Sequence, residues 1–131
     1  MSDSFTGLPP GETFFPPGNG PDDPPAIIER LVGECDDFRD LRDGEAVILT
    51  LMRAEEKKKG TKMVLGEMSL PRFGGTNAAL ALWLLALHCD GTLPHFIMTL
   101  DSEWWADATQ HQREALVFHE LKHGMQARDK E

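Results

Sequence analysis

Cysteine is scarce in this chain. Cys35 and Cys89 are the only two in 131 residues, and they do not share a Cys-x-x-Cys spacing. That excludes a disulfide scaffold, a zinc ribbon and a dithiol redox motif, and leaves the expectation of two buried free thiols in a reducing compartment. Long apolar runs are also missing. The longest, Ala78 to Leu87, is far shorter than the roughly 20 residues that span a bilayer. The start, Met1-Ser2-Asp3-Ser4-Phe5, has no basic segment leading into an apolar one, so no signal peptide is expected. The expectation is a soluble cytoplasmic protein with no membrane partner. Basic residues are outnumbered, 13 against 22 acidic, for a formal charge of -9. An acidic surface repels phosphate backbones, so a nucleic-acid partner is not expected. Arg53, Lys57, Lys58, Lys59 and Lys62 form the one basic cluster.

What is present suits one small domain with a modest core. Most of the nine prolines fall within residues 1–25. They mark a disordered or extended Pro/Gly-rich arm, with Phe5, Phe14 and Phe15 as candidate docking aromatics. The folded domain is expected over residues 26–131. Pro25 suits the first position of a helix. From Ala26 to about Arg42, Ile27, Ile28, Leu31, Val32, Cys35, Phe38 and Leu41 recur at three- and four-residue spacing, which predicts one amphipathic helix. Residues 46–52 read as a buried strand and 62–70 as a second, joined to it as a hairpin. Residues 78–89 are apolar on nearly all sides, which predicts a buried helix. Residues 96–100 give a third strand. Asp107 to Gln110 has the form of a capping box, opening a helix to about Gln126.

The chemistry lies in that last helix. His119 and His123 are four apart, so their side chains stack on one face. Two imidazoles placed this way can fill two positions of a tetrahedral zinc. Glu120 lies about 100° round the helix, within reach of water beside the metal but not as a ligand. A carboxylate there serves as general base and then as acid toward the leaving amine. Val117, Phe118, Leu121, Gly124 and Met125 form the opposite, apolar side, for packing on a sheet. The bland alternative is a surface helix with two solvated histidines. His111 lies roughly 12 Å along the axis from His119, too far to share its metal. His88 reads as a helix-end residue. His95, Asp101 and Glu103 reach the metal only if the fold carries them there. Trp104 and Trp105 read as core or cleft wall.

Residues 96–101, the tryptophans, and the run Gln112-Arg113-Glu114-Ala115-Leu116-Val117-Phe118-His119-Glu120-Leu121-Lys122-His123 together resemble the putative phage metallopeptidase family. That family is similar in plan to SprT-like metallopeptidases and other minimal zincins. Lys62 to Glu67 resembles its central strand. The resemblance spans roughly residues 26–131. It implies zinc as cofactor, His119 and His123 as its ligands and Glu120 as the catalytic acid–base. It implies a protein or peptide substrate, bound by addition to an edge strand, and a host cytoplasmic setting for a phage-encoded chain. It also implies an α+β, zincin-like fold: a three-stranded, mainly antiparallel sheet packed on three helices. Relatives supply a third ligand from a later segment. Here eight residues follow His123, and Asp129 and Glu131 are the only carboxylates among them. A helix advances about 9 Å in six residues, so neither reaches the histidines without a reversal. The expectation is that the chain lacks its C-terminal third-ligand segment. A ligand from upstream, from a second subunit, or from water alone is the alternative.

Three functions compete. One is a zinc-dependent metallopeptidase. Another is a non-catalytic binding or regulatory protein derived from a zincin. The third is a SprT-like protease acting on DNA-bound proteins, against which the charge of -9 speaks.

Overall fold

A computed structural model describes residues 13–129 of the chain. It has the α+β class expected, but with a four-stranded mixed sheet and a separate two-stranded one. The main sheet is built from β1 (Phe14–Phe15), β2 (Ile48–Arg53), β5 (Gly66–Ser69) and β6 (Phe96–Asp101), in the order β1-β2-β6-β5. The small sheet pairs β3 (Lys58–Lys59) with β4 (Lys62–Met63). The helices are α1 (Pro24–Glu34), α2 (Arg39–Asp43), α3 (Ala78–His88), α4 (Ser102–Asp107) and α5 (Gln110–Asp129).

Strand order follows from side-chain chemistry. Phe96-Ile97-Met98-Thr99-Leu100 is an almost continuous apolar run, suited to a strand flanked on both sides. Accordingly β6 is central, parallel to β2 and antiparallel to β5. The hairpin expected between residues 46–52 and 62–70 is therefore not formed, because β6 lies between them. Residues 62–70 are also split. Lys62 and Met63 turn back on β3, and only Gly66–Ser69 joins the main sheet. Its polar Glu67 and Ser69 suit an edge, so the segment 62–67 is not the central strand that the resemblance implied.

The alternating residues Phe96, Met98 and Leu100 are fully buried, with Val117 and Leu121 of α5 and Ile27 of α1. Each such side chain contributes about 1.5–3 kcal/mol. α5 packs on β5, and α1 on α5. The single helix expected over 26–42 is broken at Cys35, whose backbone is extended. A 3-10 turn at Asp36–Phe38 and then α2 follow. Ile27, Phe38 and Leu41 are all buried, so both halves of the broken segment present their apolar side to the core, and the break changes the direction of the chain between them. Arg42 Nη1 donates to the carbonyls of Val32 and Gly33, satisfying the loose end of α1. Phe38 meets Phe118 edge-on at 5.0 Å.

Three further expectations change. Residues 13–25, placed in the disordered arm, carry β1, antiparallel to the end of β2, and the first residues of α1. The rest of that arm lies outside the described residues. α3, expected to be buried, contains no buried residue: Trp83 is 61% exposed and Leu87 62%. The two cysteines are free, as expected, but half-buried. Among the described residues, no helix is long and apolar enough to cross a membrane.

Candidate metal centre

α5 is opened by a reciprocal cap. The Gln112 backbone N–H donates to Thr109 Oγ1, and the Thr109 N–H donates to Gln112 Oε1. This is the capping box, displaced two residues from the expected Asp107–Gln110 because α4 occupies 102–107. α4 was not foreseen. Asp101 caps it, accepting from the Trp104 N–H at 3.0 Å. Trp105 enters the core, with the Arg113 guanidinium 4.9 Å from its ring centre. Arg113 also donates to the Trp105 and Asp22 carbonyls, fixing the start of α5 to the rest of the domain.

Two turns further on, His119 and His123 lie on the exposed face of α5. Their rings are perpendicular with centroids 4.3 Å apart, and their Nε2 atoms are 2.9 Å apart. Two nitrogens on a tetrahedral zinc at about 2.0–2.1 Å stand roughly 3.3 Å from each other. The pair would therefore suit two of the four positions with a small spreading of the rings. Among the described residues, no group of three or more His, Cys, Asp or Glu side chains is gathered to hold a metal.

Glu120 lines the same cleft as the two histidines, on the side of α5 toward β5, and is only 5% exposed. It lies over Gly66 of β5. A Cβ built on Gly66 would stand 3.2 Å from Glu120 Cγ and 3.4 Å from Oε2. One turn later the helix touches the same strand. A Cβ on Gly124 would stand 2.8 Å from Met68 Cγ. Two glycines, one on each element, thus let α5 lie close on β5 and make room for the carboxylate. Burial raises the Glu120 pKa above its usual 4.5; His119 and His123 draw it down, and nearby Glu67 adds to the rise. A buried carboxyl beside two imidazoles in a cleft is the environment in which proton-transferring groups are found.

The cleft measures about 760 Å³ and is lined by residues of β3, β4, β5 and α5, with Lys59, Glu67, His119, Glu120 and His123 among them. Glu67 is held on its far side by Lys57 Nζ at 2.9 Å and Arg53 Nη1 at 3.5 Å. Arg53 is buried. It donates to the Glu55 and Val64 carbonyls and stands 3.9 Å from Asp101 Oδ2. The basic cluster read from the sequence is therefore mostly neutralised within the chain.

The other candidates fall away from the cleft. His95 Nδ1 accepts the Val47 N–H at 2.9 Å, a structural task. Asp101 is taken by Arg53 and the α4 cap, and Glu103 is exposed on α4. His88 ends α3, and His111 is exposed at the start of α5. The residues that sequence reasoning missed are Gly66, Gly124 as a contact point, and Glu67. Their role depends on which strand neighbours α5, which no local pattern encodes.

A small α+β domain that sets a His-Glu-x-x-His helix beside an open edge strand has a layout suited to a metal-dependent hydrolase. The chain belongs to the putative phage metallopeptidase family, whose model matches residues 21–131. Comparison with curated proteins and with solved structures gives no match.

Proposed function

We propose that this chain is a zinc-dependent metallopeptidase with His119 and His123 as metal ligands and Glu120 as catalytic acid–base. The observation that carries this reading is the convergence of the two Nε2 atoms beside a buried Glu120 in one cleft. Zinc, when bound, supplies Lewis acidity toward water and the scissile carbonyl. Glu120 takes the proton of the attacking water and passes it to the leaving amine. Its raised pKa brings it closer to the range in which both transfers are feasible. β5 has β6 on one side only, so its other edge offers backbone groups to an extended peptide, with the cleft alongside. The remaining ligand positions would be left to water, to a residue upstream of α5 or to a second copy.

The related plan of SprT-like proteases acting on DNA-bound proteins is less well supported, because Arg53, Lys57 and Lys58 are engaged with carboxylates. A non-catalytic derivative is favoured by the gathering of two ligands rather than three among the described residues. The deciding experiment measures zinc per chain by mass spectrometry, with peptide hydrolysis, for wild type, His119→Ala and Glu120→Gln. The peptidase reading expects one zinc in wild type, none in His119→Ala, and zinc without hydrolysis in Glu120→Gln. Zinc-free wild type, or hydrolysis unaffected in Glu120→Gln, sinks it.

A further inference from the structure

In the hairpin at the mouth of the cleft, Lys59 and Lys62 are register partners, directly opposite each other across β3 and β4. Like charges so placed repel and destabilise the pair. Both are exposed, and among the described residues neither stands within ion-pair distance of a carboxylate. Their neighbours are spent: Lys57 on Glu67, Lys58 on Glu56, and Arg53 on Glu67 and Asp101. In a chain with 22 acidic residues and a charge of -9, two juxtaposed cations without a counter-ion are out of keeping with the rest of the surface. Both line the same cleft as His119, Glu120 and His123. β4 ends at Met63 and β5 begins at Gly66, so a peptide added along β5 passes the lysines at one end.

We propose that Lys59 and Lys62 form an anion-accepting subsite that selects peptides carrying acidic side chains to one side of the cleaved bond. This rests on the peptidase reading and adds a substrate class to it. Lys59 and Lys62 line the hairpin end of the cleft, so the acidic residues fall toward the hairpin rather than at the scissile bond itself. The net negative charge of the remainder discourages acidic chains from binding elsewhere. A short acidic peptide is therefore the occupant the charges fit. A nucleic-acid strand needs a longer basic track than two lysines provide.

The test uses rhodamine-labelled, C-terminally amidated decapeptides that differ only in Glu, Gln or Lys at the same positions. Binding to zinc-loaded Glu120→Gln protein is followed by fluorescence anisotropy at low salt, without turnover. The Glu peptide is expected to bind about tenfold tighter than the Gln peptide, as two exposed pairs allow. Adding Lys59→Gln and Lys62→Gln should bring the two to parity, with a melting temperature no lower than before showing that the hairpin substitutions leave the fold intact. Equal affinities, no binding of any peptide, or a preference that survives the lysine substitutions overturns the subsite. So does displacement of the Glu peptide by an equal concentration of a single-stranded oligonucleotide. Cleavage of the same peptides by wild type, read by mass spectrometry, separates the two readings. Lysine-dependent binding without cleavage keeps the subsite and removes the peptidase. Cleavage without acidic preference does the reverse.

Discussion

At the scale of single residues, the site depends on who sits opposite Glu120. Its carboxyl has a higher pKa in the folded chain than in an unfolded one, because burial disfavours the charged form. The folded state therefore holds the proton more tightly. This contribution is fully present below about pH 4.5 and is lost as pH rises through the folded value. Metal-free Glu120→Gln is accordingly expected to melt higher than metal-free wild type at pH 7. The gap should close as pH falls toward 4. Melting curves in chelator across that range check it, and an equal gap at both ends contradicts it. The two glycines give a second prediction. Gly66→Ala pushes Glu120 and Leu100 aside by a few tenths of an ångström, and is expected to lower turnover by less than the ~100-fold that a misplacement of about 1 Å costs. Gly124→Ala instead meets Met68 and the buried Phe96, and costs about 1–3 kcal/mol of stability. Urea unfolding and peptide turnover, measured on both variants, should separate them. The histidine pair and the glutamate were legible in the sequence because a helix fixes their mutual geometry locally. The burial of Glu120 was not, because Gly66 lies far away along the chain.

At the scale of elements, α3 departs furthest from its sequence. An apolar circumference reads as burial, since water is a poor neighbour for Leu80, Trp83, Leu84 and Leu87. Yet these four side chains are between 51% and 62% exposed. Periodicity reports whether a helix has two faces; it does not report whether the chain supplies anything to cover them. If α3 contributes no packing to the domain, Leu80→Glu, Leu84→Glu and Leu87→Glu together should shift the melting temperature by less than about 2 °C. A large drop would show that α3 is covered in solution. The strands teach a related lesson. Their existence near 46–52 and 96–100 followed from β-branched and apolar runs, but their pairing did not. Placing β6 between β2 and β5 is a long-range choice: β2 and β6 are about equally apolar, so no local pattern says which neighbours β5. The break at Cys35 is similar: the three-and-four spacing persists across it, so nothing in the local pattern marks the change of direction.

At the scale of the whole molecule, a metal held by the proposed histidine ligands would link its binding to folding. The histidines sit on α5, the helix whose Val117 and Leu121 complete the core. A ligand at 100 times its Kd adds about 2.7 kcal/mol to the folded state. For a domain of this size that raises the melting temperature by roughly 10 °C. Scanning calorimetry with and without zinc is expected to show this in wild type and not in His119→Ala. No shift in wild type would mean that two imidazoles hold the ion too weakly to matter.

The sheet has two ends, and they are treated differently. At one end, β1 covers β2 only at Met52 and Arg53, and Pro16 and Pro17 follow at once. The rest of that margin, Ile48 to Thr50, borders a cleft of about 450 Å³ to which Pro17 and Pro25 contribute. Proline has no N–H to offer a growing ladder. At the other end, β5 carries no such guard and faces the histidines. Edge-on pairing is thus hindered along one margin and left open along the opposite one, the margin that carries the histidines.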